Sequence, residues 1–408
     1  MDIENIRKDF PTFKTNTVYF DNACMSLKPM QVINKINEYY MEYPACHGRS
    51  TYKMAARLNN EINTARAAIQ KFIGAKRTEE IIFTSNATES INLIANTLDL
   101  KDGDIILSTD KEHNSNLLPW IYISKKKNIK HQTIMSLSDN TFDLNKFEEI
   151  MNENTKNGKK VKLISLVHTS NIDGVTIPAK QIIKIAHKHG ALVMLDGAQA
   201  IPHIEVNVKD LDVDFYAFSG HKMLGPSGTG VLYGKYDLLN ALPQFMVGGE
   251  TVYDSTYDSY KVEELPMKFE AGLQNYSGIV GLGEACKYLS KIGLSNVKRQ
   301  EASLNKIITE GLKEEINNES IKLIGPKDPD LRGGIFNFIL KDIDSHEAAM
   351  MMDKTYNIAL RSGAHCCHSW YNSRQIKNSI RASVYFYNTK KEAELFIGAV
   401  KEILELRR

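Results

Sequence analysis

The chain has almost no excess of charge: 51 Lys and Arg stand against 49 Asp and Glu, a formal balance of +2 with His neutral. That excludes a nucleic-acid partner held by electrostatics, because phosphate binding needs a concentrated basic surface. Long apolar runs are also missing. The strongest, 164–167 and 191–195, fall far short of the roughly 20 residues a membrane-spanning helix requires, so no membrane partner is expected. Cysteine is sparse and odd in number: Cys24, Cys46, Cys286, Cys366 and Cys367 show neither disulfide-framework nor zinc-finger spacing. Reduced thiols in a cytoplasmic protein are the expectation. The charged first residues, Met1-Asp-Ile-Glu-Asn-Ile-Arg-Lys8, lack the apolar stretch of a signal peptide, and no secretion is expected.

What is present is ordinary globular composition, 42% hydrophobic and 25% charged, which rules out disorder and collagen-like repeats. At roughly 100 to 200 residues per domain, 408 residues suggest two or three domains, or one large domain with a smaller companion. From about residue 60, helix-period segments alternate with short β-branched runs, the pattern of an α/β protein with parallel strands. Strands of one sheet are predicted at 80–84, 104–108, 161–167, 192–195, 215–218 and 230–233, with helices including 89–97 and 179–189. The pattern breaks into a loop-rich stretch at 245–275. Beyond it, helices at 277–291 and 297–317, strands at 334–340 and 379–385, and a helix at 391–407 predict a second, α+β domain.

The most informative stretch is Phe215-Tyr-Ala-Phe-Ser-Gly-His-Lys-Met-Leu-Gly-Pro-Ser-Gly-Thr-Gly230, where a strand delivers Ser219, His221 and Lys222 to a Gly-rich turn. A Walker loop ending in Gly-Lys-Ser/Thr is absent, and no Gly-x-Gly-x-x-Gly opens a helix after the first strand. The other chemistry open to a lysine at a strand end is that of an amine nucleophile forming a Schiff base with an aldehyde cofactor. Upstream, Leu192-Val-Met-Leu-Asp196 puts an acid at the carboxyl end of a buried strand, a costly place unless a cation such as a pyridinium nitrogen meets it. Further upstream, Thr84-Ser-Asn-Ala-Thr88 joins a strand to a helix start, where free N–H groups and the helix dipole would hold a phosphate.

Together these residues resemble the fold-type I pyridoxal phosphate enzymes, and within them the class V aminotransferase group. The resemblance runs from Tyr19-Phe-Asp-Asn-Ala23 to Arg381-Ala-Ser-Val-Tyr-Phe-Tyr-Asn388. It narrows at Arg361-Ser-Gly-Ala-His-Cys366, which is similar to the Arg-x-Gly-x-His-Cys segment of group II (SUF-type) cysteine desulfurases and selenocysteine lyases. The resemblance implies a large cofactor-binding domain over 19–265 with a mainly parallel seven-stranded sheet, and a small α+β domain over 1–18 and 266–408. It implies pyridoxal 5'-phosphate as cofactor, with Lys222 as its Schiff-base lysine and Asp196 on the pyridine nitrogen. Gln199 and Asn171 would contact the phenolate oxygen. His113 would stack on the ring and serve as proton donor or acceptor, while Ala87, Thr88, Ser219 and His221 would bind the phosphate. Arg381, with Arg361 and Asn171, would hold the substrate.

The implied activity converts L-cysteine to L-alanine and leaves a persulfide on Cys366, with L-selenocysteine as a further substrate. It also implies a homodimer and a sulfur-acceptor or scaffold protein, as in sulfur mobilisation for iron–sulfur cluster assembly. Each residue has a plainer reading: His113 as a core histidine, Asn171 as a turn former, Arg361 as an ion-pair partner, Cys366 as an inert thiol. Two other functions stay open, a different class V enzyme (aminotransferase, epimerase or C–S lyase) that ignores Cys366, and a non-catalytic assembly protein. The run His365-Cys-Cys-His368 is not expected to bind metal, since contiguous residues cannot all turn toward one tetrahedral ion. In an extended segment Cys366 and Cys367 would point opposite ways, so only one should reach the cofactor. Three departures mark this chain: Leu273 replaces a threonine that in relatives reaches the partner subunit's phosphate, His47-Gly48-Arg49 replaces His-Arg-Gly, and Cys367 replaces a small residue.

Overall fold

The computed structural model describes residues 1–406. Seven strands form the main sheet: β1 (Ile81–Thr84), β2 (Ile105–Thr109), β3 (Lys130–Ile134), β4 (Val161–Val167), β5 (Leu192–Asp196), β6 (Phe215–Ser219) and β7 (Gly230–Gly234), in spatial order β1-β7-β6-β5-β4-β2-β3. Only β7 runs against its neighbours. Alternate residues of each strand feed two cores, one on each face. Ile81, Phe83, Ile105, Leu107, Ile164, Leu166, Val193 and Leu195 enter one, while Ile82, Ile106, Leu163 and Met194 enter the other. Helices cover both faces, which is why these strands read as apolar runs rather than as half-polar stripes.

The six strands predicted for this sheet are present. The seventh, β3, has the sequence Lys-His-Gln-Thr-Ile and lies at the sheet edge with only Ile134 buried, so it carries no apolar signal of its own. The 245–275 stretch holds an exposed antiparallel pair, Val252–Ser255 with Tyr260–Val262.

A four-stranded antiparallel sheet follows, in the order Ile321–Ile324, Ile335–Leu340, Ser379–Ser383, Arg361–Gly363. Its core joins Phe336, Phe338, Ile380 and Ala382 to Phe396 and Val400 of the helix Lys390–Glu405, and also takes in Val18 and Phe20 from the N-terminal segment. The expected end of that helix at Arg407 lies outside the described residues. The segment expected as one helix at 297–317 is two, Leu294–Gly311 and Lys313–Asn317. The helix Tyr276–Ile292 packs its Ile279, Leu282 and Leu289 into the core of the main sheet. No described helix is long and apolar enough to cross a membrane.

Candidate active site

The carboxyl ends of β1, β2, β4, β5 and β6 open on a cavity of about 270 Å³. Parallel strands deliver their following residues to one edge, where loops are free to carry chemistry. Asp196 ends β5, Ser219 ends β6, and Lys222 follows within the short turn Gly220–Lys222. Ala87 and Thr88 begin the helix Ala87–Thr97, whose N-cap Asn86 accepts from Glu89 N–H. Ala87 N–H donates to Ser219 Oγ at 2.9 Å, tying two of the predicted phosphate ligands together. His113 caps the helix Asn114–Lys127, its Nδ1 accepting from Ser115 N–H at 3.1 Å. All of these line the cavity, as do Asn171, Gln199, His221, Arg361 and Arg381.

Burial sets the electrostatics. Asp196 is 3% exposed and accepts from Ala198 N–H, but among the described residues no side chain pairs with it. Its pKa is raised by burial, which the Lys222 charge partly offsets. Burial lowers the Lys222 pKa, so its amine is more readily available as a base than an exposed lysine's. His113 is pushed down to about 3 by burial and then by the Lys222, Arg381 and Arg361 cations; His221 is pushed down to about 4 by burial and Lys222. Both imidazoles are neutral near pH 7.

The facing wall comes from the second sheet and from the chain's N-terminal segment. Arg381, 1% exposed, donates from Nη1 to the Asn171 carbonyl at 3.0 Å and from Nη2 to Asp21 Oδ1 at 3.4 Å. Cys366 follows His365, which lines the cavity, and its Sγ accepts from Arg361 Nη2 at 3.5 Å. The segment carrying it is not extended: His365 and Cys366 both have left-handed φ, +48° and +58°. Non-glycine residues hold that conformation only where surroundings over-determine it. Here Asn171 Nδ2 donates to the His365 carbonyl at 2.8 Å, Asn114 N–H to the Cys366 carbonyl at 2.8 Å, and Cys367 Sγ to Asn171 Oδ1 at 3.2 Å.

The two cysteines therefore diverge through a turn. Cys367 is 1% exposed, and burial first pushes its pKa up to about 12, which keeps it an unreactive thiol. Asn171 commits one amide N–H and its Oδ1 to this segment, a tethering role that residue type and spacing did not reveal. Sequence reasoning also missed Cys24, which lines the cavity and accepts from Arg361 Nη1 at 3.2 Å. Of the departures, Leu273 is 70% exposed, Arg49 pairs with Glu250 at 3.4 Å, and the His47 ring sits 5.7 Å from that of Tyr276. Among the described residues no three His, Cys, Asp or Glu side chains gather as metal ligands.

The residues fit an anionic, aromatic aldehyde cofactor with a basic ring nitrogen. Asp196 is a buried carboxylate awaiting a cation, and Gln199 Oε1 and Arg381 Nε are buried with no partner among the described residues. Comparison with known proteins agrees. A family model described as Aminotransferase class-V matches residues 18–396. A probable cysteine desulfurase of Pyrococcus abyssi is 36% identical over 99% of this chain and 98% of its own length. The apo structure of a cysteine desulfurase from Thermococcus onnurineus NA1 superposes with a TM-score of 0.93 at 36% identity, covering 98% of both chains. The cysteine desulfurase CsdA of Escherichia coli gives 0.91 at 29% identity, covering 100% of this chain and 99% of its own.

Proposed function

The chain belongs to the class V aminotransferase family, and we propose a division of labour within its cavity that carries L-cysteine to L-alanine with the sulfur retained on Cys366. It is a pyridoxal-phosphate-dependent cysteine desulfurase. When bound, the cofactor supplies a protonated ring that draws electrons from the substrate α-carbon. Asp196 would hold the proton on the ring nitrogen, His113 would cover one ring face, and Gln199 and Asn171 would lie beside the phenolate oxygen. Ala87 and Thr88 at the helix N-terminus, with Ser219 and His221, would receive the phosphate.

Arg381 grips the substrate carboxylate with its planar fork, displacing the long contact to Asp21. Lys222 Nζ, its pKa lowered by burial, removes the α-proton. Arg361 Nη2 donates to the sulfur of Cys366 and holds it in place. The Cys366 Sγ attacks the substrate sulfur, the Cβ–S bond breaks with its electron pair left on the carbon fragment, and that fragment is protonated and leaves as alanine while the enzyme keeps a persulfide. The observation that carries this reading is that Arg361, which lines the cavity together with Lys222 and Asp196, donates from Nη2 to the Cys366 sulfur at 3.5 Å.

The persulfide then passes to an external thiol or a sulfur-acceptor protein, and a cytoplasmic, reducing setting keeps Cys366 free for it. We divide the chain into a cofactor-binding body, 19–265, and a small domain of 1–18 with 266–408. We also take the working form as a homodimer. Support comes from the exposed apolar residues Met246, Val247, Tyr253, Tyr257, Tyr260 and Leu273, all within the loop-rich stretch 245–275. Light scattering checks the mass.

The test of the reaction supplies L-cysteine and L-selenocysteine separately with a reductant and quantifies alanine. With L-cysteine, Cys366→Ser is expected to lose at least about 100-fold in rate. Parent-rate alanine from that variant overturns the persulfide route.

A further inference from the structure

Cys24 has no part in the scheme above, yet it lies in the same cavity. It is half-buried, next to Ala23, whose carbonyl accepts from Gln199 Nε2 at 2.6 Å. The two terminal nitrogens of Arg361 divide between two sulfurs, Nη1 to Cys24 Sγ at 3.2 Å and Nη2 to Cys366 Sγ at 3.5 Å. Cys24 N–H donates to the Asp21 carbonyl at 3.1 Å, so the Asp21 carboxyl belongs to the same turn and gives the thiol proton a place to go. The remaining cysteines are elsewhere or inert: Cys46 is exposed away from the cavity lining, Cys286 is buried in the main core, and Cys367 is tied to Asn171.

We propose that Cys24 is a second sulfur-carrying residue, which takes the terminal sulfur from the Cys366 persulfide and frees Cys366 for another turnover. The proposal rests on Cys366 being the first acceptor, as argued above. The Cys24 thiol gives its proton to Asp21, and its thiolate attacks the outer sulfur of the Cys366 persulfide. A sulfur–sulfur bond forms at Cys24 as the one at Cys366 breaks; the electron pair of the broken bond stays on Cys366 as a thiolate. The outer sulfur keeps its own proton, and no oxidant or reductant is consumed. Arg361 makes the exchange cheap. The negative charge moves from one nitrogen of its fork to the other, so no anion is left unpaired in a partly desolvated site at either end of the step.

The consequence is capacity: without an external acceptor, each loaded subunit stores two sulfurs rather than one. The test mixes cofactor-loaded enzyme rapidly with L-cysteine and no added reductant, counts the alanine burst per loaded site that precedes sulfur transfer to free cysteine, and locates added sulfur by alkylation and peptide mass spectrometry. The parent enzyme is expected to release about two alanines per site, with sulfur on both Cys366 and Cys24. Cys24→Ala and Cys24→Ser are each expected to release about one, a twofold drop, with sulfur on Cys366 alone. Cys366→Ser should carry sulfur on neither residue.

Equal bursts with Cys24 unmodified in the parent overturn the relay, as does a Cys24–Cys366 disulfide accompanied by one released sulfide. Sulfur on Cys24 in Cys366→Ser also overturns it, since Cys24 would then react with substrate directly. A parent enzyme that makes no alanine at all sinks the desulfurase reading and the relay with it; a parent that makes one alanine per site, with its sulfur on Cys366 alone, sinks the relay alone.

Discussion

The two walls of the cavity are built in opposite ways. On the sheet side, Asp196, Ser219 and Lys222 sit at or just beyond strand ends whose neighbouring residues are buried and laddered on both sides. On the other side, Cys24 and Arg361 meet across 337 positions of sequence, and Arg381 reaches Asn171 across 210. A strand end inherits its direction from ladder hydrogen bonds, so a short motif suffices to place a side chain. The cysteine wall gains its shape only when the second sheet docks on the first. Its position depends on a few hydrogen bonds that cross between them, those of Asn171 and Asn114 to the His365–Cys367 turn above all.

That contrast is open to attack from both sides. The largest effect is expected at Lys222, where Lys222→Ala removes the proposed base on the sheet wall and should lower alanine formation about 10,000-fold in a steady-state assay. A loss under about tenfold would mean that another group takes the proton. On the cysteine wall, Asn171→Ala cuts both links to the turn and should lower kcat about 100-fold, with less change in KM, because a small displacement of an attacking atom is costly. An unchanged kcat would show that the wall holds its shape without that tether.

The sheet wall has its own weak point in acid. His168 Nδ1 pairs with Tyr216 Oη at 2.8 Å, and burial pushes its pKa down to about 4. The unfolded chain therefore binds a proton at His168 from about pH 6.5 downward while the folded protein does not, so stability from this group is complete above pH 6.5 and falls as pH drops toward 4. Measured against His168→Gln, the parent should lose about 2 kcal/mol between pH 6.5 and 5 in denaturant titrations; parallel curves would place a proton on the folded imidazole. The smallest effect belongs to Cys367→Ala, expected to cost about 1 kcal/mol for the lost thiol contact while alanine formation stays within about twofold. A collapse of activity there would make Cys367, not Cys366, the sulfur acceptor.

Much of the sheet wall was legible in the residues. The apolar runs at 161–167 and 192–195 marked β4 and β5 because strands buried on both faces have no polar side to hide them. β3 left no such trace, since an edge strand of Lys, His, Gln and Thr buries only its last residue. The motif Arg361–Cys366 announced its chemistry but not its geometry. An extended segment would also have sent the two cysteines apart; the left-handed pair His365 and Cys366 does so through a turn, and it turns two carbonyls toward donors on the first body.

Order along the chain by itself determined the alternation of strands and helices, because that follows from local periodicity; the cofactor class, and the expectation for Lys222, Asp196 and Cys366, came from the family resemblance that their short motifs carry. Only the tertiary structure decided that Asn171 serves as a tether, that Cys367 is sealed off, and that Cys24 shares a guanidinium with Cys366. Those facts depend on side chains from distant parts of the chain meeting at fixed distances, and no spacing along a single sequence encodes a distance across a docked interface.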